Sequence, residues 1–225
     1  MTQYERGNNM KKENFIFIIQ LSSISILMLF LFSISACSKK EEPANKTAGP
    51  AFNPYSGESV FEEVQRKLKE NPNDPDALFH MADLYERNSQ YKEAIDAYKK
   101  VLKIRPGSGY VYFKIGTAYD RINQPAEAVT AFQAAIKHMP TYAVAYNNMG
   151  VAYGKLNKLD KEIAALKKAI KLRPRYSSAR YNLGVTYMKT GNKKAALEEY
   201  QALKAFDEGT AEALMKAIEK APGTN

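Results

Sequence analysis

The chain has 225 residues, 45% of them hydrophobic and 25% charged, with a formal net charge of +9. That length allows one or two domains, and the composition is that of an ordinary soluble protein. Cys37 is the only cysteine, which excludes an intrachain disulfide. The amino-terminal stretch departs from this average. Lys11 and Lys12 precede Phe15–Ala36, a nearly uncharged run of 22 residues. A basic segment, an apolar stretch and small residues before a boundary predict a secretory signal over residues 1–36. Met10 gives a more conventional short basic start than Met1.

The run ends in Ile34-Ser35-Ala36-Cys37, which resembles the lipobox of bacterial lipoproteins. The resemblance implies cleavage before Cys37, a diacylglycerol on its thiol, and a place in the bacterial cell envelope. Ser38 is compatible with the outer membrane, facing the periplasm. Phe15–Ala36 is also long enough for an uncleaved transmembrane helix, but the sole cysteine standing at the lipobox position favours the lipoprotein. Each buried acyl methylene contributes about 0.8 kcal/mol and one chain alone holds weakly, so two or more chains anchor stably.

Beyond Cys37, residues 38–58 mix charge with Pro, Gly, Ser and Asn and lack a helical period. They predict a disordered leash averaging about 25 Å end to end. Ser59-Val60-Phe61-Glu62 matches a capping box, which predicts a helix over 59–72. Phe61, Val64 and Leu68 stand before Pro72 at the offsets that later second helices use, so this helix is read as a cap on the first repeat.

Pro72, Pro106, Pro140 and Pro174 are 34 residues apart, a period that signals a repeat array. The units run 73–108, 109–142, 143–176 and 177–208. Position 7 of each unit carries Met81, Ile115, Met149 and Leu183, and position 8 a small residue, Ala82, Gly116, Gly150 and Gly184. Position 11 is always tyrosine: Tyr85, Tyr119, Tyr153 and Tyr187. Position 20 is Ala94, Ala128 and Ala196, with Glu162 in the third unit; position 24 is Tyr98, Phe132, Leu166 and Tyr200. Apolar offsets 4, 7, 11 and then 17, 21, 24, 28 follow helical spacing, so each unit predicts two amphipathic helices. The small residue at position 8 lets the second helix of the pair approach closely. Between the helices, Asn123, Asn157 and Gly191 tolerate the left-handed conformation that ends a helix; Ser89 holds that place in the first unit. Ala211–Lys220 places Leu214 and Ile218 four apart, a carboxy-terminal lid within residues 209–225.

These offsets resemble the tetratricopeptide repeat family over residues 73–208. Unit two fits every signature offset, with Tyr112, Ile115, Gly116, Tyr119, Ala128, Phe132, Ala135 and Pro140. Glu162, Arg180, Leu203 and Glu208 depart from it. The resemblance implies an all-α, right-handed α-solenoid whose first helices line a concave groove through positions 2, 5, 6, 9 and 12. Carried over, these are Tyr110, Phe113, Lys114, Thr117 and Asp120 in unit two. Unit three gives Val144, Asn147, Asn148 and Val151, and unit four Ser178, Tyr181, Asn182, Val185 and Met188. An amide offers both donor and acceptor, so Asn148 and Asn182, one repeat apart, are placed to clamp an extended peptide backbone. The alternative is that they bond only to water or neighbouring loops. The basic clamp that family members use for chaperone tails is unmatched, because Ser178 and Asn182 stand where lysine and arginine are required.

Catalysis finds little support. His80 and His138 are 58 residues apart with no carboxylate or cysteine at metal-ligand spacing. No cofactor is implied. The function predicted is a non-enzymatic scaffold that holds an extended segment of a partner protein, with the membrane reached through the lipid anchor and nucleic acid excluded by export. A second reading rests on charge. Lys155, Lys158, Lys161, Lys167, Lys168, Lys171, Arg173, Arg175 and Arg180 face only Asp160 and Glu162 between residues 155 and 180. Most hold second-helix or loop positions, so the patch is expected on the convex or lateral side. It predicts attraction to an anionic envelope polymer or lipid surface.

Overall fold

The computed structural model of the protein describes residues 57–220. The signal, Cys37, residues 38–56 of the leash and the last five residues lie outside them. Among the described residues there are ten helices and no strand. They are α1 (Gly57–Glu70), α2 (Pro75–Arg87), α3 (Tyr91–Ile104), α4 (Gly109–Arg121) and α5 (Pro125–His138), followed by α6 (Ala143–Lys155), α7 (Leu159–Leu172), α8 (Ser177–Lys189), α9 (Lys193–Lys204) and α10 (Glu208–Lys220). The pairs α2/α3, α4/α5, α6/α7 and α8/α9 are the four repeats. Each second helix also packs on the first helix of the next pair, and the first helix α6 touches both α4 and α8 directly. No described helix is long and apolar enough to cross a membrane.

Local chemistry sets the helix ends. Asp74 caps α2 by accepting from the N–H groups of Asp76 at 2.9 Å and Ala77 at 3.2 Å, with Pro75 opening the helix where no N–H is needed. Every first helix stops the same way. Ser89, Asn123, Asn157 and Gly191 take φ of +59°, +57°, +55° and +75°, and the following N–H returns to the carbonyl of the position-11 tyrosine at 2.8–3.0 Å. This left-handed turn satisfies carbonyls the helix would otherwise leave open. Ser89 adopts it although serine lacks the tolerance of asparagine and glycine. The first helix begins at Gly57, two residues before the expected cap, so Ser59 lies inside it. The last two residues assigned to the leash are therefore helical.

Close approach at position 8 builds the core. A methyl on Gly116 would lie 2.6 Å from the Phe132 ring, and one on Gly150 would lie 2.9 Å from Leu166 Cγ. Both partners are fully buried, each burial being worth about 1.5–3 kcal/mol. The fourth repeat differs from expectation. Gly184 faces Leu214 of α10, at 2.6 Å from the same hypothetical methyl, rather than Tyr200 of its own second helix. Helix α9 is shorter than its counterparts, with 12 residues against 14, and the chain turns at Asp207 without the usual proline. The Asp207 carboxylate accepts from the Thr210 N–H at 3.0 Å and hydroxyl at 2.8 Å, which starts α10 back across α8. Ala211, Leu214 and Ile218 then bury against Ala196 and Leu203.

Arg180 stands where the other repeats have an aromatic or aliphatic residue. It pairs with Glu199 at 2.7 Å and donates to the Pro174 carbonyl at 3.0 Å. The ion pair joins α8 to α9 in place of the missing apolar contact.

Candidate functional site

The first helices carry a chain of aromatic rings across repeats one and two. Phe79 of α2 packs on Tyr98 at 5.6 Å and on Tyr110 at 6.1 Å between centroids. Tyr110 stacks on Phe113 at 6.1 Å, and Phe113 meets Phe132 at 5.9 Å and Tyr142 edge-on at 5.0 Å. Phe113 is buried by these neighbours, while Tyr110 keeps 47% of its surface exposed. Tyr110 is thus a supported ring with one free face.

Tyr110 stands over a cavity of about 530 Å3 that also takes in Phe113, Lys114, Thr117, Asn148 and Lys155. Its charges are mostly matched internally. Lys114 Nζ lies 3.0 Å from Asp83 and 2.5 Å from Glu86. The Tyr98 hydroxyl donates to Asp83 and, at 3.0 Å, to Glu86. Burial and the hydrogen bond to Asp83 push the Tyr98 phenol far up. Burial alone would lower the Lys114 ammonium, but the bonds to Glu86 and Asp83 outweigh it and raise it. Both groups therefore hold their protons throughout the physiological range. Lys155 pairs with Asp120 of the preceding repeat at 2.6 Å.

The amides form a directed chain. Asn182 Nδ2 donates to Asn147 Oδ1 at 3.1 Å, and Asn147 Nδ2 donates to Asn148 Oδ1 at 3.0 Å. Asn147, with 6% of its surface exposed, links the other two. It lines none of these three cavities, and its side chain is engaged by the other two amides. The predicted clamp changes accordingly. Among the described residues Asn148 keeps its N–H donors free and Asn182 its carbonyl acceptor, so the two offer opposite chemistry to a bound chain.

Tyr181 and Asn182 line a second cavity of about 410 Å3, with Gly209, Thr210 and Ala213 contributed by α10. Asn182 also lines a third, of about 240 Å3, with Val185 and Glu162. The Thr117 hydroxyl donates to the Lys114 carbonyl of its own helix at 2.7 Å. Sequence reasoning missed Glu86, Arg121, Phe132, Glu162 and the three α10 residues. Phe132 and Glu162 belong to second helices, and nothing in the offsets shows that their edges reach the groove. Among the described residues no cluster of His, Cys, Asp and Glu could hold a metal ion.

Tetratricopeptide repeat profiles match residues 75–108, 110–141 and 177–209, and a further TPR repeat profile matches 155–191. The chain is a tetratricopeptide repeat protein. Among solved structures it is similar to MamA, with 26% identity over 69% of this chain and 91% of that one and a TM-score of 0.66. The MamA from Desulfovibrio magneticus RS-1 gives 26% identity over 69% and 90%, with a TM-score of 0.64. YrrB, described as a TPR protein with an unusual peptide-binding site, gives 24% identity over 71% and 84%, with a TM-score of 0.63. No curated protein matches the chain by sequence.

Within these repeats the basic stretch stays exposed except at Arg180, and several of its side chains lie over aromatic rings. Lys161 lies over Tyr153, Lys167 over Tyr187, Lys168 over Tyr146, Arg173 over Tyr176 and Arg175 over Phe206, all within 5.1–6.0 Å of the ring centroid. Arg180 is paired with Glu199, and Lys155 belongs to the groove rather than to an outer face. Lys158 and Lys171 are exposed and lie over no ring among the described residues.

Proposed function

We propose that the chain is a non-enzymatic adaptor of the bacterial cell envelope, tethered by a lipid on Cys37, whose first helices hold an extended segment of a partner protein. The observation that carries this reading is the half-exposed Tyr110 ring, braced by Phe79 and Phe113 above a cavity edged by the Asn148 amide. Rigid, supported aromatic rings bordered by polar groups are what binding hot spots are made of. The free donors of Asn148 and free acceptor of Asn182 match the alternating N–H and C=O groups of an extended backbone. The fold is one in which another protein, YrrB, carries a peptide-binding site. The lipobox-like tetrapeptide and the apolar run before it support the envelope setting.

Two experiments test the two halves. Labelling with an alkyne fatty acid should mark the wild type and not Cys37→Ser; equal labelling, or none in either, removes the anchor. Panning a randomised decapeptide library on the full-length chain should select peptides that lose about tenfold or more in affinity for Tyr110→Ala, since a hot-spot truncation costs about 2 kcal/mol. Selected peptides that bind Tyr110→Ala equally well remove the groove. Binding that collapses between low and high salt would instead favour the basic stretch, because exposed charges are screened within about 8–10 Å.

A further inference from the structure

The third repeat breaks the pattern of the others at one buried position. Ala94, Ala128 and Ala196 hold that place elsewhere, each fully buried. Here it is Glu162, with 4% of its surface exposed. The carboxylate fits because Gly154 lies opposite: a methyl on that glycine would come within 2.6–2.7 Å of Glu162 Oε1, Cδ and Oε2. Oε2 is fully buried and has no hydrogen-bond partner among the described residues. In the three alanine repeats the place of Gly154 is taken by Glu86, Asp120 or Met188, so packing here asks for a longer side chain than alanine. It does not ask for an unpaired carboxylate, because leaving a buried acceptor unpaired is costly.

Glu162 lines the third cavity, between repeats three and four. Val151 and Val185 provide apolar walls there, and Asn182, Lys155 and Lys189 the other polar groups. Asn182 donates to Asn147, so its carbonyl oxygen is the atom left to accept. The Lys155 ammonium is held by Asp120, while Lys189 makes no ion pair among the described residues. The cavity thus offers two kinds of acceptor, a carboxylate and an amide carbonyl, beside a lysine donor. A cationic side chain would meet Lys155 and Lys189, and an acidic one would meet Glu162. A neutral group carrying both N–H donors and a carbonyl acceptor suits all of them, and a primary carboxamide is that group.

We propose that this cavity is a subsite for the side-chain carboxamide of a glutamine or asparagine in the bound segment. Its NH2 group donates to the Glu162 carboxylate and to Asn182 Oδ1, and its carbonyl accepts from Lys189. The proposal rests on the groove holding an extended segment, and it adds a side-chain preference at one place along that segment.

The test uses the same randomised decapeptide library on the full-length chain, as wild type, Glu162→Ala and Glu162→Gln. Wild type should enrich glutamine or asparagine about tenfold over lysine, arginine and glutamate at one position. Glu162→Ala should lose that enrichment, while the preferences set by Tyr110 persist. Glu162→Gln, which replaces a pure acceptor by a mixed group, should lose most of it. Enrichment unchanged in Glu162→Ala overturns the subsite and leaves the groove standing. A basic or acidic preference that depends on Glu162 overturns it too. No selection at any position in wild type overturns both the groove and the subsite.

Discussion

Gly116→Ala is the sharpest test of the packing, because two opposing effects can be sized from the structure. Alanine in place of a mid-helix glycine normally stabilises by about 0.5–1 kcal/mol. Here the added methyl would lie 2.6 Å from both Phe132 Cδ1 and Cε1, where carbon atoms at van der Waals contact keep about 3.5–4.0 Å. The ring must retreat by about 1 Å. Phe132 is fully buried and braced by Phe113 at 5.9 Å, so α4 and α5 have to separate instead. Overpacking of this kind costs about 1–3 kcal/mol, which at mid-range leaves a net destabilisation of about 1 kcal/mol. In melting temperature that is about 2–4 °C for a domain of this size. Thermal and urea unfolding followed by circular dichroism at 222 nm reads it directly. Gly209→Ala is the control, because nothing lies within 4 Å of its methyl, and it should be neutral or slightly stabilising. A Gly116→Ala protein as stable as wild type would refute the claim that tight α4–α5 approach fixes position 8.

The same logic at Gly150, whose methyl would lie 2.9 Å from buried Leu166 Cγ, predicts that Gly150→Leu costs about 1–3 kcal/mol or more in a urea titration. Ser89→Gly should raise stability by about 0.5–1 kcal/mol, since Ser89 holds φ of +59° and glycine has no Cβ to strain there; a lower urea midpoint would contradict it. For Asp207, the Ser177 hydroxyl and the Thr210 N–H and hydroxyl hold the carboxyl below its ordinary value of 3.8. A depressed folded value means the stabilisation is present above about pH 4 and is lost as pH falls through the lower value. The melting-temperature gap between wild type and Asp207→Asn should therefore be widest above about pH 5 and shrink below about pH 4. A gap that widens in acid would reverse the sign and reject this role for the cap.

What the sequence made legible was what repeats. The 34-residue period, the tyrosine at position 11 and the small residue at position 8 located every first helix, because local propensity and steric fit act within one unit. The fourth repeat escaped because Gly184 takes its partner from α10, and an offset says which face is small without saying what lies opposite. The amide chain was half legible. Asn148 and Asn182 were recognisable as a pair, but Asn147 bonds to both, and only neighbouring geometry decides which amide faces outward. Lys155 read as part of a basic run because charge counts ignore partners. Asp120, one repeat earlier, holds it in the groove. Glu162 was visible as a departure from alanine, yet its meaning depends on Gly154 standing opposite, on another helix.

Site-specific photo-crosslinking of the full-length chain in intact cells tests the central claim most directly. A photoreactive phenylalanine replaces Tyr110, on the groove, or Lys168, on the second helix of the third repeat. Held segments predict a discrete protein adduct from position 110 that disappears with Asn148→Ala, and none from position 168. Adducts from position 168 alone would place the partner on the outer helices and contradict the groove.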